Sequence, residues 1–207
     1  MPTALLIATS NPHKVEEIRA VLGPLGITCE SLHALATAIS EPEETGASFE
    51  ANALLKARWY AQQSGRVALA DDSGLEVDAL GGAPGIHSAR YAGIGASRAE
   101  RDAANNEKLL RALAGIDDSK RSARFVCALS IASPEGVELA AARGTFEGAV
   151  GHAPRGGNGF GYDPLLVLHD GRTSAELSAA EKNARSHRGV ALLALAKSLR
   201  EGLLLRA

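Results

Sequence analysis

Cysteine is scarce in this chain. Its two cysteines, Cys29 and Cys127, make no CxxC pair, and no histidine sits beside them at metal-finger spacing. That excludes a thiolate zinc module and predicts two buried apolar thiols in a reducing compartment. An excess of basic charge is missing too. The formal net charge is −2, which argues against stable binding to a nucleic-acid backbone, since that needs a basic surface. No run approaches the roughly 18 apolar residues of a membrane span. The opening MPTALLIATS has no charged segment ahead of its short apolar run, unlike a secretory leader. These absences predict a cytoplasmic protein with no membrane partner. Repeats and low-complexity tracts are absent. A GxxxxGK[ST] phosphate loop does not occur, and GxGxxG fails at the glycine-rich stretch 154–164, where Tyr162 takes the last glycine's place and no helix opens. An aspartyl-phosphate mechanism would need a DxDx[TV] signature at the end of the first apolar run, and ALLIATSN has no acid there.

What remains is ordinary in bulk. At 207 residues the chain can build one large domain or two small lobes, and a hydrophobic fraction of 45% with a charged fraction of 22% suits a globular protein. The informative stretch is VALADDSG. Val67 to Ala70 reads as a buried strand ending in Asp71 and Asp72, followed by Ser73 and Gly74. Strand ends in α/β proteins open onto the crevice where ligands bind. Adjacent carboxylates repel and call for a cation, a shared proton or water, and carboxylate oxygens beside substrate phosphates are what Mg²⁺ favours. An exposed Asp-Asp-Ser-Gly turn is the competing reading of the same residues.

In chain order, Ala4 to Ala8 reads as a strand. Ser10 or Asn11 then caps a helix that begins at Pro12, buries Val15, Ile18 and Leu22, and stops at Gly23-Pro24. The free N–H groups at this helix start, with Lys14 nearby, make a candidate anion site over Thr9, Ser10, Asn11 and Lys14, a plain βα turn with a solvated lysine being the competing reading. Ile27 to Leu32 reads as a second strand, and the acidic loop Glu41 to Gly46 as a solvated face. Ser48 starts a helix with Leu55 and Trp59 on its apolar face, Asn52 and Lys56 on another, and Gly65 at its end. Leu80 to Gly93 is a long glycine-rich loop. A helix spans about Arg98 to Leu113, with Leu109, Leu110 and Leu113 inward and its polar residues solvated. Arg124 to Ser133 alternates with a period of two, placing Phe125, Cys127, Leu129 and Ile131 on one side, and Pro134-Glu135-Gly136 turns it into a hairpin with Val137 to Arg143, continuing through Thr145 to Val150. The loop Pro154 to Pro164 carries Phe160 and Tyr162, rings that could stack on a base or pack in a core. Leu165 to Leu168 is a further strand. Ser178 and Glu181 form a capping box for a short helix carrying Lys182. Ser186-His187-Arg188-Gly189 leads into a terminal helix that buries either Val190, Leu193, Ala196 and Leu199 or Leu192, Leu195 and Leu199.

Lysines, paired acids and a glycine-aromatic loop together describe a nucleoside triphosphate pocket. The blocks ATSNPHK, ETGASFEANALLKA, ADDSGLEVDALGGAPGIHSARYAG, GGNGFGYDP and SHRG, in this order, resemble the inosine/xanthosine triphosphate pyrophosphatases over nearly the whole chain. A sister family carries Ser-Pro-Arg-Arg after the first strand, where this chain has Asn11-Pro12-His13-Lys14. The resemblance implies an α/β fold, elongated, with a long bent mixed β-sheet flanked by helices in two lobes and a central active-site cleft, all in one domain over residues 1–207. It implies a homodimer acting on purine nucleoside triphosphates such as dITP, ITP and XTP. It also implies that Thr9 to Lys14 and Lys56 hold phosphates, that Glu44 and Asp72 bind Mg²⁺, that Asp72 is catalytic, and that Ser73 contacts substrate. Phe160, Gly161, Tyr162, Asp163, Lys182, His187 and Arg188 would form the base pocket. The choice between Asp71 and Asp72 as base, and between Glu43 and Glu44 as ligand, stays open at this stage.

Overall fold

The computed structural model describes residues 4–204; residues 1–3 and 205–207, the ends of the predicted single domain, lie outside it. Among the described residues a six-stranded mixed sheet is flanked by helices, as expected of an α/β fold, in the order β2-β1-β3-β4-β5-β6. These strands are β1 (Leu5–Ile7), β2 (Cys29–Ser31), β3 (Ala68–Val77), β4 (Ser122–Ala132), β5 (Glu138–Val150) and β6 (Leu166–Val167). The helices are α1 (Pro12–Leu22), α2 (Phe49–Ser64), α3 (Arg98–Ala112), α4 (Ala179–Arg185) and α5 (His187–Leu204). β1 pairs in parallel with both β2 and β3, and β5 pairs antiparallel with β6. β4 and β5 form the expected hairpin, closed by the Ser133 N–H on the Val137 carbonyl. No described helix is long and apolar enough to cross a membrane.

The chain divides into two compact units. One takes Met1–Asp72, Cys127–Gly144 and Ser186–Ala207, of which the described part runs from residue 4 to residue 204; the other takes Ser73–Val126 and Thr145–Arg185. In the first unit β1 and the start of β3 are buried on both faces, which explains their continuous apolar runs. Leu5, Ile7 and Leu69 pack with Ile18, Leu22, Leu192 and Leu195 of α1 and α5. Leu6, Ala68 and Ala70, of opposite parity, pack with Ala57, Tyr60 and Ala61 of α2. The second unit has its own core, built on Leu75, Val77, Leu109, Leu113, Phe146, Val150, Tyr162 and Leu165.

Several local expectations need correction. β3 does not end at Ala70: it runs on through both aspartates to Val77, so the carboxylates sit inside a strand rather than at its tip or in a turn. Strand pairing and burial override the poor strand propensity of Asp, Ser and Gly. α1, by contrast, ends at Leu22 with Gly23 as its cap, at the expected Gly23-Pro24 stop. Pro24 is tolerated in a following 3₁₀ turn, and left-handed Gly26 (φ 79°) ends the run. Leu55 and Trp59 do not mark the buried face of α2. Leu55 is half-buried, while Trp59 is 36% exposed and donates its indole N–H to the Ser40 carbonyl. The inward face is Phe49, Asn52, Ala53, Lys56, Ala57, Tyr60 and Ala61, because small residues let a helix approach the sheet closely. β4 is buried on both faces rather than one. On α5 the stripe Leu192, Leu195 and Leu199 faces inward, joined by Ala191 and Ala196, while Val190 and Leu193 are exposed. Asn105 of α3 is buried rather than solvated.

In the second unit, buried Arg121 stitches three segment ends together. Its guanidinium donates to the carbonyls of Leu113 (2.9 Å), Val150 (2.7 Å) and Gly151 (2.9 Å). The first of these, at the C-cap of α3, also accepts the Ile116 N–H (3.1 Å). Removing a buried donor strands its acceptors. Arg121→Met is expected to lower unfolding free energy by about 3 kcal/mol, read as a lower urea midpoint with an unchanged slope.

Candidate active site

Asp71 and Asp72 are consecutive residues of β3, so their side chains leave the strand on opposite faces. Each finds its own cation in the first unit. Asp71 follows the parity of Leu69, toward α1 and α5. Its carboxylate accepts from Lys14 of α1, from Arg188 Nε of α5 (2.9 Å) and from the Cys127 thiol (3.0 Å). Arg188, 1% exposed, also pairs with Glu17 of α1. Burial alone would push the Asp71 carboxyl up, but Arg188 and Lys14 outweigh it and hold it well below the usual carboxylate range. Burial, then the Asp71 charge, pushes the Cys127 thiol well up, so it remains a protonated donor.

Asp72 follows the parity of Ala70, toward α2. Lys56 Nζ lies 2.7 Å from Asp72 Oδ1 and 2.8 Å from Glu44 Oε1, placing both carboxylates around one ammonium. Asn52, one helical turn before Lys56 and fully buried, accepts the Gly46 N–H (2.8 Å) and donates to Asp72 Oδ2 (3.3 Å). It therefore ties the loop carrying Glu44 to the strand carrying Asp72. Burial raises the Asp72 carboxyl above its ordinary value despite the pull of Lys56. Lys56 is also raised: burial opposes its charge, but Asp72 and Glu44 more than offset that. Glu44 turns inward whereas Glu43 is exposed. Among the described residues no three His, Cys, Asp or Glu side chains converge as a metal cage. Two carboxylates around one ammonium fit the sparse protein ligation of Mg²⁺, which keeps waters and takes substrate oxygens.

The start of α1 has the predicted cap: Asn11 Oδ1 accepts the His13 N–H (3.1 Å), and Thr9 Oγ1 accepts the Asn11 N–H (3.2 Å). Ser10, Pro12 and His13 are exposed at this helix start. His187 and Arg188 are the first residues of α5 and are buried rather than in a preceding loop.

The second unit holds the other predicted residues. Asp163, buried, is a hub: Oδ2 accepts from Lys182 Nζ (2.7 Å) and the Phe160 N–H (2.8 Å), and Oδ1 from the Ser174 hydroxyl (2.7 Å). Lys182 Nζ also lies 5.1 Å from the Phe160 ring centroid. Phe160 and Gly161 are half-buried. Tyr162 is a core residue whose hydroxyl donates to the Ser88 carbonyl at 2.9 Å. Ser73, half-buried, opens this unit. The structure thus groups Lys14, Glu44, Lys56, Asp71, Asp72 and Arg188 in the first unit, and Phe160, Asp163 and Lys182 in the second. Sequence reasoning missed Asn52, Glu17, Cys127 and Ser174 as parts of these networks. For Asn52 the signal was its spacing of four from Lys56; the other three carry none.

Comparison with known proteins gives a consistent result. The pattern describing the Ham1 family matches residues 5–198. A dITP/XTP pyrophosphatase of Exiguobacterium sibiricum is 52% identical over 94% of this chain and 96% of its own length. One from Bacillus subtilis is 46% identical over 94% and 96% respectively. A solved HAM1 protein from Coxiella burnetii superposes with a TM-score of 0.84 at 42% identity, covering 96% of this chain and 99% of its own.

The two aspartates should respond oppositely to neutralisation in the absence of divalent ions. Asp71's lowered pKa contributes stability above the unfolded value of about 3.9, lost as pH falls through the folded value. Asp72's raised pKa means that its ionised form costs stability above that same point. At pH 7, Asp71→Asn is expected to cost about 3–5 kcal/mol, as for one broken partner of a buried pair. Asp72→Asn should be neutral or stabilising, and the gap should narrow below about pH 4. Urea unfolding in EDTA at several pH values checks both signs.

Proposed function

The chain belongs to the Ham1 family, and from that premise we propose that it is a nucleoside-triphosphate pyrophosphatase. It hydrolyses deaminated purine nucleotides (dITP, ITP and XTP) to the monophosphate and pyrophosphate, keeping them out of DNA and RNA. The observation that carries this reading is the convergence of Glu44 and Asp72 on Lys56 inside a buried site. That is an arrangement for a polyanionic substrate with a divalent cation.

Each group then has a role. The helix start from Thr9 to Lys14, with Lys56, neutralises and orients the phosphate chain. Ser73 contacts the substrate. Glu44 and Asp72 would hold Mg²⁺, which when bound would offset the charge that develops on the phosphate oxygens. Asp72 orients the attacking water toward the α-phosphorus and accepts its proton. Two observations support Asp72 over Asp71. The Asp71 side chain is 0% exposed and committed to Lys14 and Arg188, whereas Asp72 is 9% exposed and adjoins Glu44. Asp71 would act by fixing Lys14 and Arg188. The segment Phe160 to Asp163, with Lys182, His187 and Arg188, takes the base. Phe160 supplies the stacking ring, Gly161 and Tyr162 its backbone setting, and Lys182, His187 or Arg188 a donor for the C6 carbonyl. A buried donor matched to a carbonyl is stranded against the amino group of adenine, which can reject that analogue by roughly 10⁴-fold. The protein works as a homodimer in the cytoplasm.

Incubation with dITP, XTP and the four common deoxynucleoside triphosphates plus Mg²⁺ tests this reading. Pyrophosphate, not orthophosphate, should appear, and from dITP and XTP in preference. Asp72→Asn should lose at least about 100-fold in turnover; a loss of only a few-fold would remove Asp72 from the chemistry. Orthophosphate as the first product would refute attack at the α-phosphorus.

A further inference from the structure

One face of α3 has no part in the function so far. Arg98, Asp102 and Asn106 stand four residues apart and share that face. Asp102 Oδ2 accepts the Gly161 N–H (3.0 Å), and Asn106 Nδ2 donates to the Gly161 carbonyl (3.0 Å). Both backbone polar groups of Gly161, which is in the left-handed region at φ +61°, are thus held by α3. The Gly161 N–H belongs to the peptide that follows Phe160, and the Phe160 N–H is itself held by Asp163. Both peptides flanking the Phe160 Cα are therefore pinned, leaving only the side-chain torsions to set the ring. Those torsions are restricted by the Arg98 guanidinium, 4.8 Å from the ring centroid, and by Lys182.

Stability does not account for this arrangement. The half-buried Phe160 is not part of the second unit's hydrophobic core. The Arg98 side chain is 41% exposed, yet its Nε is shielded and, though 3.9 Å from Asp102 Oδ2, makes no hydrogen bond, nor does the shielded Asn106 Oδ1. Unsatisfied buried polar atoms are unfavourable. A fold would not accumulate them to order a ring outside its core. A binding surface would, because an aromatic platform fixed in advance does not lose its rotational freedom when a base arrives.

We propose that the Arg98–Asp102–Asn106 face of α3 positions Phe160 for stacking on the purine base, and so sets the affinity for the base without touching the reacting phosphates. This rests on Phe160 being the stacking ring.

Steady-state kinetics with dITP separate the two. Phe160→Leu should raise KM about tenfold, within the range of base stacking on aromatic residues. Arg98→Leu and Asp102→Ala should each raise KM about three- to tenfold, the scale of a cation–π contact or one hydrogen bond, with kcat within about twofold. Asp102→Asn, which keeps an acceptor oxygen for the Gly161 N–H, should restore KM. In a Phe160→Leu background, Asp102→Ala should add less than about twofold, because coupled residues are non-additive. If Phe160→Leu raises KM but Arg98→Leu and Asp102→Ala do not, or Asp102→Asn behaves like Asp102→Ala, the α3 inference fails and stacking stands. If Phe160→Leu leaves KM unchanged, stacking fails and the inference with it. Should Asp102→Ala not fold, Arg98→Leu at the first helical position decides alone.

Discussion

The arrangement of the first unit depends on strand parity at two adjacent carboxylates. Two ionised aspartates side by side in a buried strand would be prohibitive on one face. Alternation separates them, so Asp71 meets Lys14 and Arg188 while Asp72 meets Lys56. The same parity sorts the apolar residues, Leu69 toward α1 and α5 and Ala68 and Ala70 toward α2. A one-residue slip of β3 would therefore bury the wrong apolar set and exchange every ion pair at once. Few register errors could survive that double penalty, so these charges also specify the register.

The two aspartates differ in environment because their helices differ. Asp71 receives two cations and a thiol donor, and its surroundings favour the charged form. Asp72 shares one cation with Glu44 in a partly desolvated site, and its surroundings favour the neutral form. Pairs of titratable groups pushed in opposite directions mark a division of labour between a structural and a chemical carboxylate. That division supports Asp72 as the residue that meets water and Asp71 as the one that fixes the cationic walls.

Much of this was legible where a feature is local in sequence. The Asn11, Ser48 and Ser178 caps, the hairpin at Pro134-Glu135-Gly136 and the glycine ending α2 all rest on interactions within a few residues. The candidate residues were proposed from spacing and from the ordered motif blocks. What was not legible depends on distant partners. β3 looked as if it ended at Ala70 because Asp71 and Asp72 are poor strand formers, yet their cations arrive from as far as Arg188, 117 residues away. The buried face of α2 was misplaced because size was read as burial, while the sheet accepts alanines and the two polar residues Asn52 and Lys56. α3 looked like a solvated helix because nothing local announces that Asp102 and Asn106 bind a loop some 55 residues on.

Glycine explains how two units of different composition hold comparable polar clusters. A Cβ on Gly46 would lie 2.6 Å from Asn52 Oδ1, and one on Gly159 would lie 2.1 Å from Asp163 Oδ2 and 2.9 Å from Lys182 Nζ. In each unit the backbone runs against a buried polar group at a distance no side chain permits. At Gly159 the left-handed φ of +79° adds a conformational reason; at Gly46 the reason is space alone. Buried ion pairs seldom out-stabilise apolar packing, so packing the main chain this tightly around them does little for the fold. It does keep Asn52, Asp163 and Lys182 buried, and charges act more strongly where bulk water is kept away. In each unit the missing glycine side chain gives the buried polar group its close fit.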